Sequence, residues 1–255
     1  MLEINDVHKT FFSGTANEVQ ALRGVNLVIE QGSWISVIGA NGSGKSTLLN
    51  AVAGAFAIDT GEILLDGTLL NRWSEHRRAK LIGRVFQDPT QGTAPSLTIA
   101  ENLALAVKRG QRRGLLPALL PSSKQALRDR IADLQLGLED RLDSPMGTLS
   151  GGQRQSLTLL MAILIRPALL LLDEHTAALD PKSANQVINL TQRFIEEQSL
   201  TVLMVTHSMY QATRLGNRII MMERGQIVQD ISGEAKKRLK PAELLAQFGE
   251  MELAN

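Results

Sequence analysis

Residues 39–46 (GANGSGKS) constrain the fold of this 255-residue chain more than any other feature. They directly follow residues 34–38 (WISVI), an apolar run of the kind that forms a buried central strand in a parallel sheet. A helical run, residues 47–53, comes directly after them. A glycine-rich turn between a buried strand and a helix is typical of an open α/β fold.

The same eight residues match the phosphate-binding loop, or P-loop, pattern. Glycines let the backbone curl until its N–H groups, together with the helix N-terminus, face an anion. Lys45 can reach the β- and γ-phosphates of a nucleotide, and the Ser46 hydroxyl suits Mg²⁺. A purely structural turn is the alternative, but eight matching positions are far more specific than a lone GxGxxG. The predicted nucleotide contacts are Gly39, Asn41, Gly42, Ser43, Gly44, Lys45, Ser46 and Thr47.

Two further apolar runs end at polar residues. Residues 169–172 lead into Asp173 and Glu174, and residues 201–205 lead to His207. Ligands of open α/β sheets lie beyond the carboxyl ends of the strands, so we expect these clusters and the P-loop to meet in space. Asp173 can hold the metal, usually through water, and Glu174 can activate the attacking water. The pair alone could be a solvated strand end, but beside a P-loop it indicates nucleotide hydrolysis.

The remaining sequence predicts strands at both ends and helices in the middle. Residues 24–30 alternate as in a half-exposed strand, and residues 218–228 predict a hairpin around a Glu-Arg-Gly turn. Apolar residues recur at helical spacing in 99–107 and 127–138. Residues 232–255 predict a connector and a short amphipathic helix that docks on the core or on a second copy; its apolar residues are Leu244, Leu245 and Phe248.

Composition and charge exclude several classes of protein. Lys and Arg number 27 against 26 Asp and Glu, so no global basic field favours nucleic acid, and we predict no nucleic-acid partner. Without cysteine, disulfides and thiolate chemistry are excluded. The N-terminus lacks the pattern of a secretory signal, and Arg166-Pro167 divides the longest apolar stretch into pieces too short to cross a bilayer. We therefore expect the protein in the cytoplasm.

Residues 149–154 (LSGGQR), upstream of the carboxylate strand, resemble the signature motif of ABC ATPases. Ser150 can cap a helix here, and Gly151 and Gly152 leave N–H groups open to an anion, although a well-formed helix start would look the same. The motifs follow the family order over about residues 2–230. The resemblance implies an α/β ABC-type nucleotide-binding domain, with a RecA-like core, an N-terminal antiparallel β-subdomain and an inserted α-helical subdomain.

The same resemblance implies boundaries for these parts. The ATPase domain is expected over residues 1–233, with the helical subdomain at about 88–165 and a short helical tail at 234–255. Residues 108–121 are an addition to the helical part, a basic run beside an apolar one. This addition could lie against lipid headgroups or a permease, or form a solvated loop with a short packed helix.

The resemblance also implies roles for single residues. Gln87 resembles the Q-loop glutamine, which touches Mg²⁺ or the attacking water, and His207 resembles the switch histidine that contacts the γ-phosphate. Asp180 resembles the D-loop aspartate, which communicates across a dimer. Phe11 resembles the aromatic that stacks on adenine, with adjacent Phe12 as the alternative. The signature residues implied to reach ATP held by a second copy are Ser150, Gly151, Gly152 and Gln153.

One position departs from the family pattern. His175 stands where most members have proline, directly after the catalytic carboxylate. The histidine either frees Glu174 slightly or adds a titrating neighbour, or else it is a tolerated variation without a catalytic role, and we favour the last reading.

As a whole, the resemblance implies the ATP-hydrolysing subunit of an ABC transporter. Two copies would close around two ATP molecules with Mg²⁺ and drive separate transmembrane permease subunits at the cytoplasmic face of the bacterial inner membrane. An extracytoplasmic solute-binding protein would belong to the same system. Residues 174–180 and the 108–121 addition resemble ATPases paired with permeases of the branched-chain amino acid type, which indicates import of amino-acid-like cargo.

Three alternatives stay open at this point. The chain could serve an exporter, because some exporters also use separate ATPases. A soluble ABC ATPase acting on a non-transport partner would normally show tandem nucleotide domains or a long coiled-coil insertion, and neither is present. A P-loop kinase would explain Lys45 and Asp173 but would leave the signature motif without a role.

Overall fold

The computed structural model describes residues 1–111 and 121–253, which form two compact units. Unit 1 joins Met1–Arg78 to the chain from Ser199 onward, and unit 2 is Ala79–Gln198. Besides a short 3₁₀ helix at Met146–Thr148, the elements in chain order are β1 (Leu2–Phe11), β2 (Val19–Ile29), β3 (Trp34–Ile38), α1 (Lys45–Ala53), β4 (Thr60–Leu65), β5 (Thr68–Leu69), α2 (Glu75–Arg78), β6 (Ile82–Val85), α3 (Ile99–Val107), α4 (Pro121–Ala132), α5 (Gly151–Ile163), β7 (Leu169–Asp173), α6 (Pro181–Gln198), β8 (Val202–Val205), α7 (Met209–Arg214), β9 (Arg218–Glu223), β10 (Gln226–Ser232), α8 (Gly233–Arg238) and α9 (Pro241–Leu253).

The first sheet of unit 1 is antiparallel, as the family resemblance implied. Its strand order is β2-β1-β4-β5. Leu2 and Ile4 on β1 are fully buried, and they pair with Ile29 and Leu27 on β2. The alternation of apolar and polar residues along these strands therefore buries one face of the sheet.

The other strands of unit 1 are ordered β10-β9-β3-β8. β3 is parallel to both β8 and β9, and all five of its residues are buried, as the apolar run predicted. β9 and β10 are antiparallel, which confirms the predicted hairpin. Because β3 and β8 run in the same direction, the residues that follow them emerge at the same edge.

The C-terminal helix docks on the core of its own unit. Leu244 is fully buried in a cluster with Ile38, Ile219 and Met221, whereas Leu245 is exposed. The sequence left two docking sites open, the core of the same chain and a second copy. Leu244 docks on the core of its own chain. The side chain of Phe248 lies outside the described residues.

Unit 2 combines β6 and β7, which are parallel, with helices α3 to α6. α3 covers residues 99–107 as predicted, but the predicted helical stretch at 127–138 is too long. α4 ends at Ala132 because Gln135 and Gly137 adopt positive φ values of 56° and 64°. Leu134 and Leu138 lie beyond the end of α4 but are still buried. The apolar residues therefore keep their spacing where the chain is no longer helical.

The described part of the 108–121 addition begins with a structural arginine. Arg109 donates to the carbonyl oxygens of Ala162 and Ile165, at 3.1 and 3.2 Å, at the carboxyl end of α5. Burial lowers the pKa of this guanidinium. Arg109 is thus a half-buried residue that anchors this segment to α5, and residues 112–120 of the addition lie outside the described residues. No helix in the described ranges is long and apolar enough to cross a bilayer.

Lys236 closes the carboxyl end of α7, the helix that follows His207. Its side chain is 5% exposed, and its ammonium donates to the carbonyl oxygens of Thr213, Leu215 and Gly216 at 2.7 to 3.1 Å. Cations favour helix C-termini because the last carbonyl groups there have no partner within the helix.

We therefore expect Lys236→Met to destabilise unit 1 by about 1–3 kcal/mol, because three acceptors lose a charged donor while the apolar stem remains. Urea unfolding checks this prediction. Lys237→Met is the matched control, since Lys237 is exposed and pairs with the exposed Glu234 at 2.8 Å. Equal stability of the two variants would contradict the role of Lys236.

Candidate nucleotide site

The P-loop in unit 1 is a tight turn braced from behind by the β9–β10 hairpin. Gly44 has φ 103°, and a Cβ atom there would lie 2.5 Å from the carbonyl oxygen of Ala21, so only glycine fits. The Gly225 N–H donates to the carbonyl oxygen of Ser43 at 2.9 Å. Gly225 in turn accepts from the Arg23 N–H at 2.8 Å. The turn residues of a distant hairpin therefore hold the shape of this loop.

The first turn of α1 has the features of a phosphate site. Lys45 is 5% exposed, and its ammonium donates to the Gly39 and Ala40 carbonyl oxygens, both at 2.8 Å. Ser46 is exposed and Thr47 is half-buried on the same turn. The N–H groups of a first helical turn point beyond the helix end, where the helix dipole favours an anion. The residues present thus fit a nucleotide phosphate.

His207 lies at the same edge of unit 1 as the P-loop. β3 and β8 are in register with Val37 opposite Val205, and the Thr206 N–H donates to the Val37 carbonyl oxygen at 3.2 Å. His207 follows directly and is exposed. The structure therefore brings together two of the three polar clusters that the sequence predicts to meet.

Phe11, the predicted adenine contact, is packed on a second aromatic ring. It meets Phe56 edge to face, with ring centroids 5.2 Å apart, and the Lys9 ammonium lies 5.5 Å from its centroid. Phe12 is 68% exposed. Phe11 therefore has a fixed neighbour and a partly exposed ring, but its stacking on adenine stays a prediction.

The predicted catalytic carboxylates lie at the carboxyl end of β7 in unit 2, where Asp173 is the last residue of the strand and Glu174 follows it. Asp173 is largely buried, with its Oδ2 atom 3.4 Å from the Arg84 Nη2 atom on β6. Glu174 has φ 45°, in the left-handed region that costs a non-glycine residue roughly 1–2 kcal/mol. Strained backbone of this kind is typical of functional sites and needs support from its surroundings.

His175, the departure from the family pattern, is a neutral buried residue. It is 2% exposed, and desolvation lowers its pKa to about 4. The Thr191 hydroxyl donates to the Val187 carbonyl oxygen at 2.7 Å, so it accepts from the His175 Nε2–H at 3.2 Å. The imidazole therefore stays uncharged near neutral pH and does not titrate beside Glu174. This agrees with the interpretation of His175 as a tolerated structural variation.

The signature segment begins α5 with a capping box. The Ser150 Oγ atom accepts from the Gln153 N–H at 3.3 Å, while the Gln153 Oε1 atom accepts from the Ser150 N–H at 3.2 Å. This geometry confirms Ser150 as the helix cap. Gly151 is exposed, whereas a Cβ atom on Gly152 would lie 2.7 Å from the Ser183 side chain. Gly152 thus has a packing role that Gly151 lacks.

The other residues predicted in unit 2 lie in loops. Gln87 is exposed just after β6. Asp180 caps α6, because its Oδ1 atom accepts from the N–H groups of Lys182 and Ser183, both at 3.1 Å. Hydrogen bonds from the Ser183 side chain and backbone lower the Asp180 pKa, so this carboxylate stays ionised.

Unit 1 therefore carries the P-loop, His207 and Phe11, and unit 2 carries the carboxylates, Gln87 and the signature. Their assembly into one site stays a prediction. Their donor set consists of a serine hydroxyl, a carboxylate and an amide oxygen, which are ligands that suit Mg²⁺.

Sequence reasoning missed two residues that support these segments, Gly225 and Gln155. Gln155 is fully buried on α5. The sequence does offer a signal for Gln155, because it stands directly before the largely apolar run Ser-Leu-Thr-Leu-Leu. A glutamine buried in such a run needs specific hydrogen-bond partners. Gly225 gave no comparable signal, since its partner Ser43 is distant in the chain.

Comparisons with known proteins identify the family of this chain. Residues 22–177 match the family described as ABC transporter. A tyrosine transport ATP-binding protein of Clostridioides difficile is 42% identical over 248 residues, covering 97% of this chain and 98% of that protein. The lipoprotein-releasing system ATP-binding protein LolD 1 of Caulobacter vibrioides is 33% identical over 239 residues, covering 91% and 96%.

A solved structure gives the same result. The ATP-binding cassette MJ0796, in a dimeric post-hydrolysis state bound to ADP and Pi, is 31% identical and superposes with a TM-score of 0.76. The match covers 91% of this chain and 98% of that one. With its P-loop, its capped signature helix and these relatives, the chain belongs to the ABC transporter family, as an ATP-binding subunit that hydrolyses ATP.

Proposed function

We propose that two copies of this chain close around two ATP molecules and drive a separate permease that imports an amino-acid-like solute. The observation that carries the cargo class is the 42% identity, over nearly the full length, to a tyrosine transport ATP-binding protein. Methionine import ATP-binding proteins among the relatives, 31–34% identical, support the same class. The lipoprotein-releasing relative, at 33%, supports an exporter-type system as the second candidate.

In this proposal, the phosphates bind the N–H groups of the P-loop and Lys45. Ser46, Asp173 and Gln87 hold Mg²⁺, which neutralises phosphate charge when bound. Glu174 orients and activates the attacking water, and His207 contacts the γ-phosphate. These roles follow from the chemistry of the side chains and from their match to the family motifs.

The signature helix contributes to the ATP held by the other copy. The capping box at Ser150 and Gln153 fixes the start of α5, so that the exposed Gly151 N–H can face an anion. Asp180, at the start of α6, is proposed to communicate across the same dimer. Because these contacts require the γ-phosphate, the closed dimer binds ATP better than ADP, and hydrolysis lets it open.

The remaining parts of the proposal concern place and organisation. The subunit works at the cytoplasmic face of the bacterial inner membrane, with permease subunits and an extracytoplasmic solute-binding protein. Residues 1–233 act as the ATPase domain, with the helical subdomain at about 88–165. Helices α3, α4 and α5 lie in or overlap that range.

Glu174→Gln should lower the rate of ATP hydrolysis by roughly a hundredfold or more, because the variant keeps the side-chain shape but loses the general base. It should still bind ATP and should form an ATP-dependent dimer. Phosphate release and size-exclusion chromatography with Mg²⁺-ATP check both. Glu197→Gln, at an exposed carboxylate on α6, is the control. Hydrolysis at the wild-type rate by Glu174→Gln would refute the role of this residue.

Ser150→Ala tests the contact across the dimer, with Thr98→Ala as a matched control. Both residues cap a helix of unit 2 in a capping box, at α5 and α3, so each variant should lose about 0.5–2 kcal/mol of stability. Only Ser150→Ala should also weaken the ATP-dependent dimer of a Glu174→Gln protein, as measured by analytical ultracentrifugation. Equal dimerisation of the two variants would count against the shared site.

The cargo is tested in cells. Deleting the gene should abolish energy-dependent uptake of radiolabelled tyrosine, and the wild-type gene should restore it, whereas Lys45→Met should not, because that variant lacks the phosphate-binding ammonium. Unchanged tyrosine uptake in the deletion strain would contradict this cargo. A defect in lipoprotein release instead would favour the second candidate.

A further inference from the structure

Gln155 is a buried amide that joins two loops of the proposed site. Its side chain is fully buried on α5, the helix that the signature begins. The two hydrogens of its Nε2 atom go to the carbonyl oxygens of Phe86, at 2.9 Å, and of His175, at 2.6 Å. One side chain therefore connects three segments of unit 2.

Both acceptors are immediate neighbours of proposed functional residues. Phe86 precedes Gln87, and His175 follows Glu174. The Phe86 carbonyl and the Gln87 N–H belong to one rigid peptide unit, so the hydrogen bond to Phe86 directly limits the backbone at Gln87. The His175 carbonyl belongs to the peptide unit shared with Thr176, so the hydrogen bond to it limits Glu174 through the backbone of His175. Gln155 thus restrains the backbone at the predicted Q-loop glutamine directly, and the backbone at the predicted general base through the neighbouring residue His175.

Glu174 needs such restraint because its backbone is strained. Its φ of 45° persists only where the surroundings hold it, and contacts of Glu174 and of the adjacent His175 contribute to this. The Glu174 carbonyl accepts from the Ala177 N–H at 2.9 Å. His175 is held at its carbonyl by Gln155 and at its imidazole by Thr191. We name Gln155, His175 and Thr191 the His175 brace.

The Gln155 side chain is not present for packing alone. Its Oε1 atom is buried and has no hydrogen-bond partner among the described residues. Such an orphaned acceptor costs roughly 1–3 kcal/mol, a cost that the two hydrogen bonds donated by the Nε2 atom offset. What the amide supplies, and an apolar residue cannot, is the pair of hydrogen bonds to the two loops.

We propose that Gln155 is a positioning residue for hydrolysis, which sets Glu174, through the His175 brace, and Gln87 relative to the signature helix. This inference rests on the roles proposed above for Glu174 and Gln87. Gln155 is fully buried, so it acts through the backbone of these neighbours. Its effect therefore belongs to the chemical step and not to ATP binding, which the P-loop of unit 1 provides.

The test replaces Gln155 by methionine, which keeps the length of the side chain and removes both donors. We expect kcat for ATP to fall roughly ten- to a hundredfold, the effect of a small misplacement of a catalytic group. The affinity for a fluorescent ATP analogue should stay within about twofold of the wild-type value, because the substitution leaves the proposed ATP-binding contacts unchanged. Gln155→Asn is the second variant, for use if the methionine variant does not fold. Its shorter side chain reaches at most one of the two carbonyl oxygens, so its kcat should be lower than that of the wild type but less reduced than the loss of both hydrogen bonds would give.

Asn102→Leu is the control for lost stability. Asn102 is another buried amide of unit 2, and it bonds the backbone of Ala94, Leu97 and Thr98. Its loss should lower the melting temperature at least as much as Gln155→Met does while leaving kcat near the wild-type value. An equal loss of kcat in both variants would overturn the inference, because the effect would then be general destabilisation.

A double-mutant cycle separates this inference from the proposed function. If Gln155 acts through Glu174, adding Gln155→Met to a Glu174→Gln protein should change the residual single-turnover rate by less than about threefold, since residues that act as a unit are not additive. Additive losses, or a wild-type kcat for Gln155→Met, would refute the positioning role alone. Full activity of Glu174→Gln would refute the proposed function instead.

Discussion

The phosphate-binding turn is held from outside by a backbone hydrogen bond, from the Gly225 N–H to the Ser43 carbonyl oxygen. It connects the turn between β3 and α1 to the hairpin at the other end of the chain, and Gly44 is pressed against the Ala21 carbonyl by the same packing. Glycine alone tolerates both the positive φ and the close approach, so this packing requires glycine at position 44. The first turn of α1 follows directly on this loop.

A second constraint recurs at helix ends, where buried or half-buried cations donate to carbonyl groups. Arg78 donates to Ala51 and Val52 at the end of α1, Arg109 does so at the end of α5, and Lys236 does so at the end of α7. Burial lowers the pKa of all three side chains, but their acceptors retain them in the interior. Each of these helices precedes or follows a proposed site segment, so residues far from the nucleotide stabilise the elements that would hold it.

Much of the fold followed from local patterns. The apolar run at 34–38, the glycine turn and the hairpin at 218–228 were each predicted where they occur, because these elements depend on residues close in sequence. The predicted helix at 127–138 was wrong at its end, since a positive φ at Gln135 stops it while apolar spacing continues. The Ser150 cap was predictable for the same local reason, whereas the contact of Gly152 with Ser183 was not.

The sequence by itself determined the family, the ATP chemistry and the identity of the candidate residues, because each motif is a short run whose residue types are required by the chemistry of phosphate. Only the tertiary structure decided how those residues are supported. The neutral burial of His175, the two carbonyls bound by Gln155 and the hydrogen bond from Gly225 to Ser43 all join segments distant in the chain. The physical reason is that a buried polar group takes its partner from whatever the fold brings beside it, and a linear pattern does not contain that information.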